Sequence, residues 1–208
     1  MANTDVEQSP NTRAISLLWI GASTLSIFGG ILLGAFLNDA LWNSNLPLCV
    51  GDCISIDMII INNPIQRAFV YGLSIGGIKG LLEELILQKW KIKWNGWILA
   101  SMLGWALGVT IAVGLATFHS NLGINQLLGG MVIGLSQWVI LRRYVPKAYL
   151  WIIANVIGSF MILSYIPLGY TFLMMVESFI IFIIAGFFTG IITSAVLSWL
   201  LNFFWLEE

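Results

Sequence analysis

The chain has 208 residues, of which 59% are apolar and only 9% are charged, and its mean hydropathy is +0.92. Soluble domains carry about 25% charged residues, so this composition excludes an ordinary soluble domain and indicates an integral membrane protein. The formal net charge of −1 gives no reason to expect a nucleic-acid partner, because nucleic-acid-binding surfaces are basic. Ten tryptophans suit a protein with two water–lipid interfaces, where indole rings prefer to lie.

Six segments are apolar enough to be read as membrane spans, since about 20 apolar residues cross the hydrocarbon core. A polar tail, 1–13, lacks the layout of a signal peptide, so we expect the first helix to be retained. One transmembrane domain follows at 14–201, with an outer loop at 38–64 and a short tail at 202–208. The apolar stretch 54–61 of that loop is too short to span and is expected to lie at the interface. The helices are predicted at 14–37, 65–88, 95–118, 122–141, 148–170 and 172–201.

The distribution of basic residues predicts the orientation, because Lys and Arg accumulate in cytoplasmic loops. Seven of the nine basic residues fall at one end of the predicted bundle if both termini are cytoplasmic. These seven are Arg13, Lys89, Lys91, Lys93, Arg142, Arg143 and Lys147. The opposite end holds Asp39, Asp52 and Asp57. The sequence therefore predicts cytoplasmic termini.

Residues 76–104 and 130–158 are two copies of one helix–loop–helix, with ten identities over 29 gap-free positions. Each copy contains an even number of helices, so the two copies point the same way and are related by an axis along the membrane normal. Read as a closed ring, the chain offers a third copy. Trp19-Ile20 and Ala22-Ser23 of helix one match helices three and five, and Gly186 and Gly190 of helix six match helices two and four.

The predicted fold is therefore all-α, a bundle of six transmembrane helices with parallel internal repeats. Helices two and three form one unit, helices four and five the next, and helices six and one a permuted third unit around a pseudo-threefold axis. Four G-x-x-x-G pairs accompany the repeat: Gly30/Gly34, Gly76/Gly80, Gly130/Gly134 and Gly186/Gly190. This spacing puts both glycines on one helix face and is typical of tight helix packing; the alternative is that they line a substrate path.

Three charged residues, Lys79, Glu83 and Glu84, lie inside helix two. Charges within a membrane span mark a functional site or an internal pair, and Lys79 and Glu83 are four residues apart, so they can form an ion pair on one helix face. Glu84 points elsewhere and could reach Lys89 or water. The open interpretations are a neutralised pair, a transport or proton path, and catalysis.

Equivalent repeat positions extend this into a predicted polar layer on the cytoplasmic half of the bundle. One set of equivalent positions is Glu83, Gln137 and Thr193, and the other is Ser23, Ser101 and Asn155. Polar residues in membrane bundles usually face each other, although separate bonds to the backbone of their own helices are the alternative. The candidate functional residues are Ser23, Lys79, Glu83, Glu84, Ser101, Gln137, Asn155 and Thr193.

No catalytic, cofactor or metal residues are assigned. Glu83-Glu84 resembles the start of the E-E-x-x-x-R signature of CAAX-protease-like hydrolases, but Gln88 stands in the arginine position and the chain has one histidine, His119. Water activation needs a positioned base or metal, so we expect no enzymatic activity. Cys49 and Cys53 lie in the outer loop, where an oxidising compartment would permit a disulfide; free thiols, or metal binding with His119, are the alternatives.

One stretch carries a family resemblance: Gly130, Gly134, Gln137-Trp138, Leu141-Arg142-Arg143 and then Trp151. This G-x-x-x-G-x-x-Q-W-x-x-L-R-R pattern resembles a repeat in small multi-spanning membrane proteins of cyanobacterial type. The resemblance covers helices four and five well, whereas helices two and three are a diverged copy with Glu83-Glu84 in place of Gln137-Trp138. It implies a photosynthetic prokaryote and a plasma or thylakoid membrane, and it carries no activity.

The sequence thus favours a non-enzymatic protein that binds membrane partners, for example an assembly or accessory factor of a membrane complex. The expected partners are the lipid bilayer and other membrane proteins, and no cofactor is expected. The alternative is a small-solute carrier or channel with a polar layer at Glu83, Gln137 and Asn155. A carrier needs a solvated cavity that reaches this layer, whereas a partner-binding protein can have a dry core.

Overall fold

The computed structural model describes residues 12–42, 63–89, 94–118, 122–163 and 172–206, and these ranges form six α-helices. Their bounds are α1 Thr12–Trp42, α2 Pro64–Lys89, α3 Trp97–Phe118, α4 Leu122–Leu141, α5 Leu150–Leu163 and α6 Phe172–Leu206. The all-α prediction is confirmed. The predicted interfacial segment 54–61 lies outside the described residues.

Two helices are longer than the sequence predicted. Helix α1 continues to Trp42 instead of ending at residue 37, so the loop predicted to begin at 38 begins later. Asn38 lies inside the helix, and its side-chain amide donates to the carbonyl of Gly34 one turn earlier, 2.8 Å away. Helix α6 likewise continues to Leu206. Helix α5 begins at Leu150, two residues later than predicted.

Four of the described helices are long and apolar enough to cross a membrane. They contain the stretches Arg13–Leu41, Trp97–Thr117, Gly123–Leu141 and Phe182–Leu201. Helix α5 has a shorter apolar stretch, Leu150–Phe160. Helix α2 is long enough but less apolar, because it carries five charged residues: Arg67, Lys79, Glu83, Glu84 and Lys89. The protein is therefore a helical membrane protein with at least these four candidate spans.

The helices form a closed ring in chain order. Each helix packs against the next one along the chain, and α6 packs against α1. At this last contact the hydroxyl groups of Ser16 and Ser198 are 2.6 Å apart. Large apolar side chains such as Leu25, Leu103 and Ile157 face outward, as expected for a surface in contact with lipid.

Glycines allow three pairs of helices to approach closely. A Cβ atom on Gly80 of α2 would lie 2.9 Å from the Cα of Ile98 on α3. On Gly134 of α4 it would lie 2.7 Å from the Cα of Ile152 on α5, and on Gly190 of α6 it would lie 2.9 Å from the Cα of Ile20 on α1. Ordinary van der Waals contact of a Cβ begins near 3.4 Å. Any larger residue would therefore force these backbones apart.

The buried apolar side chains form two clusters, one at each end of the described bundle. The first, here called the tryptophan-rich cluster, contains Ile15, Trp19, Ala22, Ile86, Leu87, Trp94, Trp97, Leu141, Val145, Ala148, Trp151, Leu197, Leu200 and Leu201. The second, here called the distal cluster, contains Ile27, Ile31, Ala68, Ile75, Trp105, Val109, Ala112, Val113, Ile133, Phe182 and Ala185. Several buried polar residues, among them Ser23, Lys79, Glu83, Ser101 and Gln137, occupy the helix turns between the two clusters.

Candidate functional site

Three tryptophans from alternate helices meet in the middle of the ring. Trp19 of α1, Trp97 of α3 and Trp151 of α5 are each fully buried. The ring centroids are 6.3 Å apart for Trp19 and Trp97, 5.9 Å for Trp19 and Trp151, and 5.8 Å for Trp97 and Trp151. The rings are tilted or edge-on to each other, an arrangement that aromatic quadrupoles favour. We call these three residues the tryptophan triangle.

The backbone before α3 helps to place one corner of this triangle. Gly96 has a φ of +90°, which glycine adopts without the steric penalty of a side chain. The N–H of Trp97 then bonds to the carbonyl of Trp94, 3.1 Å away. The two indoles pack together with centroids 5.3 Å apart, so Trp94 supports the triangle from the tryptophan-rich cluster.

Each indole of the triangle donates its N–H to a polar side chain on a neighbouring helix. Trp97 donates to the Oε2 of Glu83 (3.1 Å), and Trp151 donates to the Oε1 of Gln137 (2.8 Å). Trp19 donates to the hydroxyl of Thr193 (3.2 Å). Buried indoles usually have such an acceptor. The three acceptors are the residues that the sequence placed at equivalent repeat positions.

Lys79 and Glu83 form the predicted ion pair on α2. The Nζ of Lys79 lies 2.5 Å from the Oε1 of Glu83, and the two side chains are 1% and 0% exposed. Lys79 also donates to the hydroxyl of Ser23 on α1, 2.9 Å away. Together with the bond from Trp97 to Glu83, this network joins α1, α2 and α3. The i,i+4 prediction is confirmed, and the pair lies in the interior of the ring.

Gln137 of α4 makes the corresponding set of contacts without a charge. Its amide nitrogen donates to the hydroxyl of Ser101 on α3, 2.9 Å away. Its amide oxygen accepts from Trp151 on α5. The single uncharged side chain of Gln137 therefore connects α4 to both the preceding and the following helix. On α2 the same two connections require two side chains, Lys79 and Glu83.

The last two residues of the predicted layer bond mainly to the backbone of their own helices. Asn155 donates to the carbonyl of Trp151 (2.9 Å), and Thr193 donates to the carbonyl of Thr189 (2.8 Å). Thr193 also accepts from the triangle through Trp19. Thr189 donates across the α5–α6 contact to the carbonyl of Gly158, 2.9 Å away. The polar interior thus contains both hydrogen bonds between helices and hydrogen bonds from side chains to the backbone of their own helix.

The structure brings seven of the eight candidate residues into the interior. Ser23, Lys79, Glu83, Ser101, Gln137, Asn155 and Thr193 are all at most 2% exposed, and we call them the polar layer. Glu84 does not join them: it is half-buried and accepts a bond from Gln88 at 3.3 Å. Cys49, Cys53 and His119, with their predicted disulfide and its alternatives, lie outside the described residues.

Apolar side chains cover the polar layer on both sides along the bundle. On α1, Ala22 belongs to the tryptophan-rich cluster and Ile27 to the distal cluster, with Ser23 between them. On α4, Ile133 and Leu141 flank Gln137 in the same way. Low dielectric surroundings strengthen the bonds of a satisfied network. The geometry therefore supports a dry network that fixes how the helices pack.

The tryptophan triangle was not among the candidate residues, although the sequence contained its signal. Trp97 and Trp151 each follow their acceptor by 14 residues, so the donor–acceptor pair recurs with the repeat. Trp19 occupies the matching position of α1. No protein-family model matches the chain, and neither a curated protein nor a solved structure matches it. Within the described residues no group of three His, Cys, Asp or Glu side chains could hold a metal ion.

Proposed function

We propose that this protein is a non-enzymatic integral membrane protein that binds other membrane components, as an assembly or accessory factor does. The observation that carries the proposal is the polar layer. Its charged residues, Lys79 and Glu83, contact each other, Ser23 and Trp97 at 2.5–3.1 Å. They are covered by apolar clusters on both sides, so the groups best suited to chemistry are engaged inside the bundle and the surface left for interaction is the apolar exterior.

The proposed architecture is a six-span pseudo-threefold bundle in which α2–α3, α4–α5 and α6–α1 are the three units. Two features support it. Glycine contacts recur at Gly80, Gly134 and Gly190, each against the second helix of its own unit. The tryptophan triangle takes one indole from each unit, and each indole donates to the other helix of its own unit.

The proposed orientation places both termini and the basic turns in the cytoplasm, in a bacterial plasma or thylakoid membrane of the kind that the cyanobacterial-type resemblance implies. Lys89 at the end of α2 and the turn after α4 with Arg142, Arg143 and Lys147 support this orientation. Single cysteines placed at Lys89 and Lys147, in a chain lacking the two native cysteines, are expected to react with impermeant reagents from the cytoplasmic side alone. Labelling from the outer side would contradict the orientation.

The second candidate is a small-solute or proton carrier that uses Glu83, Gln137 and Asn155. The observation in its favour is the ion pair Lys79–Glu83, because ionisable residues inside a membrane bundle frequently mark a transport path. For this function the layer must become hydrated at some stage of a cycle. The two candidates therefore differ in what a change at Glu83 does.

Photocrosslinking in native membranes tests the leading proposal. A benzophenone amino acid is placed at one outward position on each of three helices, Leu25 of α1, Leu103 of α3 and Ile157 of α5, which are 63%, 46% and 52% exposed. We expect a discrete protein adduct at one of these faces and none at the others, with each position serving as the control for the rest.

Proton flux into liposomes containing a pH-sensitive dye tests the carrier. With the purified full-length protein reconstituted, we expect no more flux than in empty liposomes, and no change for Glu83→Gln. Two results together would overturn the leading proposal and establish the carrier. The first is proton flux that depends on Glu83, and the second is that all three crosslinking positions form adducts with lipid and none with protein.

A further inference from the structure

The turn between α4 and α5, residues 142–149, gathers positive charge at one end of the bundle. Its sequence, Arg-Arg-Tyr-Val-Pro-Lys-Ala-Tyr, contains three cations and no carboxylate. The side chains of Arg142, Arg143 and Lys147 are all exposed. Neither the polar layer nor the proposed partner surface uses this segment, which we call the basic turn.

The basic turn is fixed to the bundle. Val145 and Ala148 are 5% and 3% exposed and belong to the tryptophan-rich cluster. The backbone N–H of Val145 bonds to the carbonyl of Leu141 at 2.9 Å, and that of Leu150 bonds to the carbonyl of Lys147 at 3.1 Å. Lys147 has a φ of +59°, which is uncommon for a residue with a side chain. The backbone that carries the three cations is therefore held in place before any ligand arrives, which lowers the entropy lost on binding.

Two of the cations lie over tryptophan rings. The guanidinium carbon of Arg142 is 4.9 Å from the ring centroid of Trp138, and the Nζ of Lys147 is 5.5 Å from that of Trp199 on α6. Both distances are within the range of a cation–π interaction. Tryptophan prefers the headgroup level of a bilayer, so these contacts place the cations at the depth of lipid phosphates.

An apolar stripe leads from the basic turn along the outside of α4. Leu135, Val139 and Arg143 are spaced four residues apart, so they follow one face of the chain. Leu135 and Val139 are each 39% exposed. The site thus offers a cation at the membrane surface and an apolar path directly below it, which matches a ligand with a phosphate and a hydrocarbon chain.

We propose that the basic turn, with Trp138 and Trp199, binds the headgroup of an anionic phospholipid whose acyl chain lies along Leu135 and Val139. Arginine and lysine in a basic site at the membrane surface bind anionic headgroups, and guanidinium groups form paired hydrogen bonds with phosphate oxygens. This inference does not depend on the proposed partner function, because it concerns lipid and a different part of the molecule.

Native mass spectrometry of the full-length protein tests the site. The detergent-solubilised protein is titrated with phosphatidylglycerol or phosphatidylcholine, and the apparent Kd of the first bound lipid is compared. We expect a preference for phosphatidylglycerol that the triple variant R142Q/R143Q/K147Q weakens about tenfold or more, since each cation near the surface contributes roughly fivefold. The three side chains are exposed, so the fold should persist.

The matched control is K89Q/K91Q/K93Q, which removes the same number of charges from the last residue of α2 and the segment that follows it. We expect this variant to keep the preference within about twofold, the scatter expected for changes outside the site. If both triple variants lose the preference for phosphatidylglycerol equally, the preference comes from the overall surface charge and not from the basic turn. That result would overturn the proposal. Displacement of phosphatidylglycerol by millimolar inorganic phosphate would also overturn it, because a free anion would then satisfy the site without the acyl chain.

Discussion

Replacing Glu83 with glutamine is expected to lower the free energy of unfolding by about 3–5 kcal/mol, because Lys79 then remains buried without its counterion. The bond from Trp97 survives, since a glutamine oxygen can accept it as Gln137 accepts from Trp151. The loss therefore reports on the missing charge and on the amide N–H groups, which then face the ammonium of Lys79 where the Oε1 of Glu83 accepted. Unfolding by a denaturing detergent in mixed micelles measures it.

A second substitution is expected to restore the stability that the first removes. In the double variant K79I/E83Q, α2 carries the pair found at the equivalent positions of α4, Ile133 and Gln137. The new glutamine could then donate to Ser23 and accept from Trp97, as Gln137 does with its own two partners. We expect the double variant to lie within about 1.5 kcal/mol of the parent, the usual limit for a volume-conserving interior exchange.

With the other single variant, K79I, the variants E83Q and K79I/E83Q complete a double-mutant cycle. A change for E83Q alone of less than about 1 kcal/mol, the size of an exposed ion pair, would mean that Lys79 is not held in a dry interior. A double variant as unstable as E83Q would mean that α2 and α4 do not use equivalent positions. In that case the interior of α2 would need the charged pair Lys79–Glu83 itself, and an isoleucine and a glutamine could not replace it.

Replacing Gly134 with leucine is expected to prevent normal packing of α4 against α5. The Cβ alone would lie 2.7 Å from the Cα of Ile152 and 3.1 Å from its carbonyl oxygen. These are backbone atoms, so no rotamer change relieves the clash and the helices must separate. Overpacking of a well-packed interior usually costs about 1–3 kcal/mol, and a leucine against backbone should reach the upper end or abolish folding.

The chain supplies a matched control for this substitution. Gly21 of α1 is exposed, and nothing lies within 4 Å of a Cβ built there. Gly21→Leu is expected to leave the melting temperature unchanged or to raise it, because leucine favours the helix more than glycine does. If Gly134→Leu prevents purification, Gly134→Ala gives a measurable loss from the same contact. A Gly134→Leu variant that melts with the parent would show that this helix contact is not tight.

Composition and periodicity were sufficient to predict the helices, because a span of about 20 apolar residues has few alternatives in lipid. The ends were less predictable. The outer loop was predicted to begin at Asn38, yet α1 continues to Trp42, and the side chain of Asn38 bonds to the carbonyl of Gly34 one turn earlier. Helix ends depend on such local bonds, and a hydropathy pattern does not contain them.

The candidate site was predictable to the extent that it follows the repeat. Glu83, Gln137 and Thr193 were selected because of their equivalent positions, and all three are hydrogen-bonded to tryptophan indoles. Glu84 was selected because charge is costly in lipid, but its position one residue later turns it away from the interior. Charge also pointed to Lys79 and Glu83, which are buried, so it is the repeat position that distinguishes Glu83 from Glu84. The tryptophan triangle could not be predicted in this way, because its three residues lie on α1, α3 and α5 and meet only when these helices pack together.

The contact between α1 and α6 has a consequence for how the protein is made. Ser16 and Ser198, which meet at this contact, are 182 residues apart in the chain, so a ribosome delivers one long before the other. Until α6 leaves the ribosome, the indole of Trp19 has no Thr193 to accept its N–H. The ring therefore cannot close before α6, the last of the described helices, has been translated.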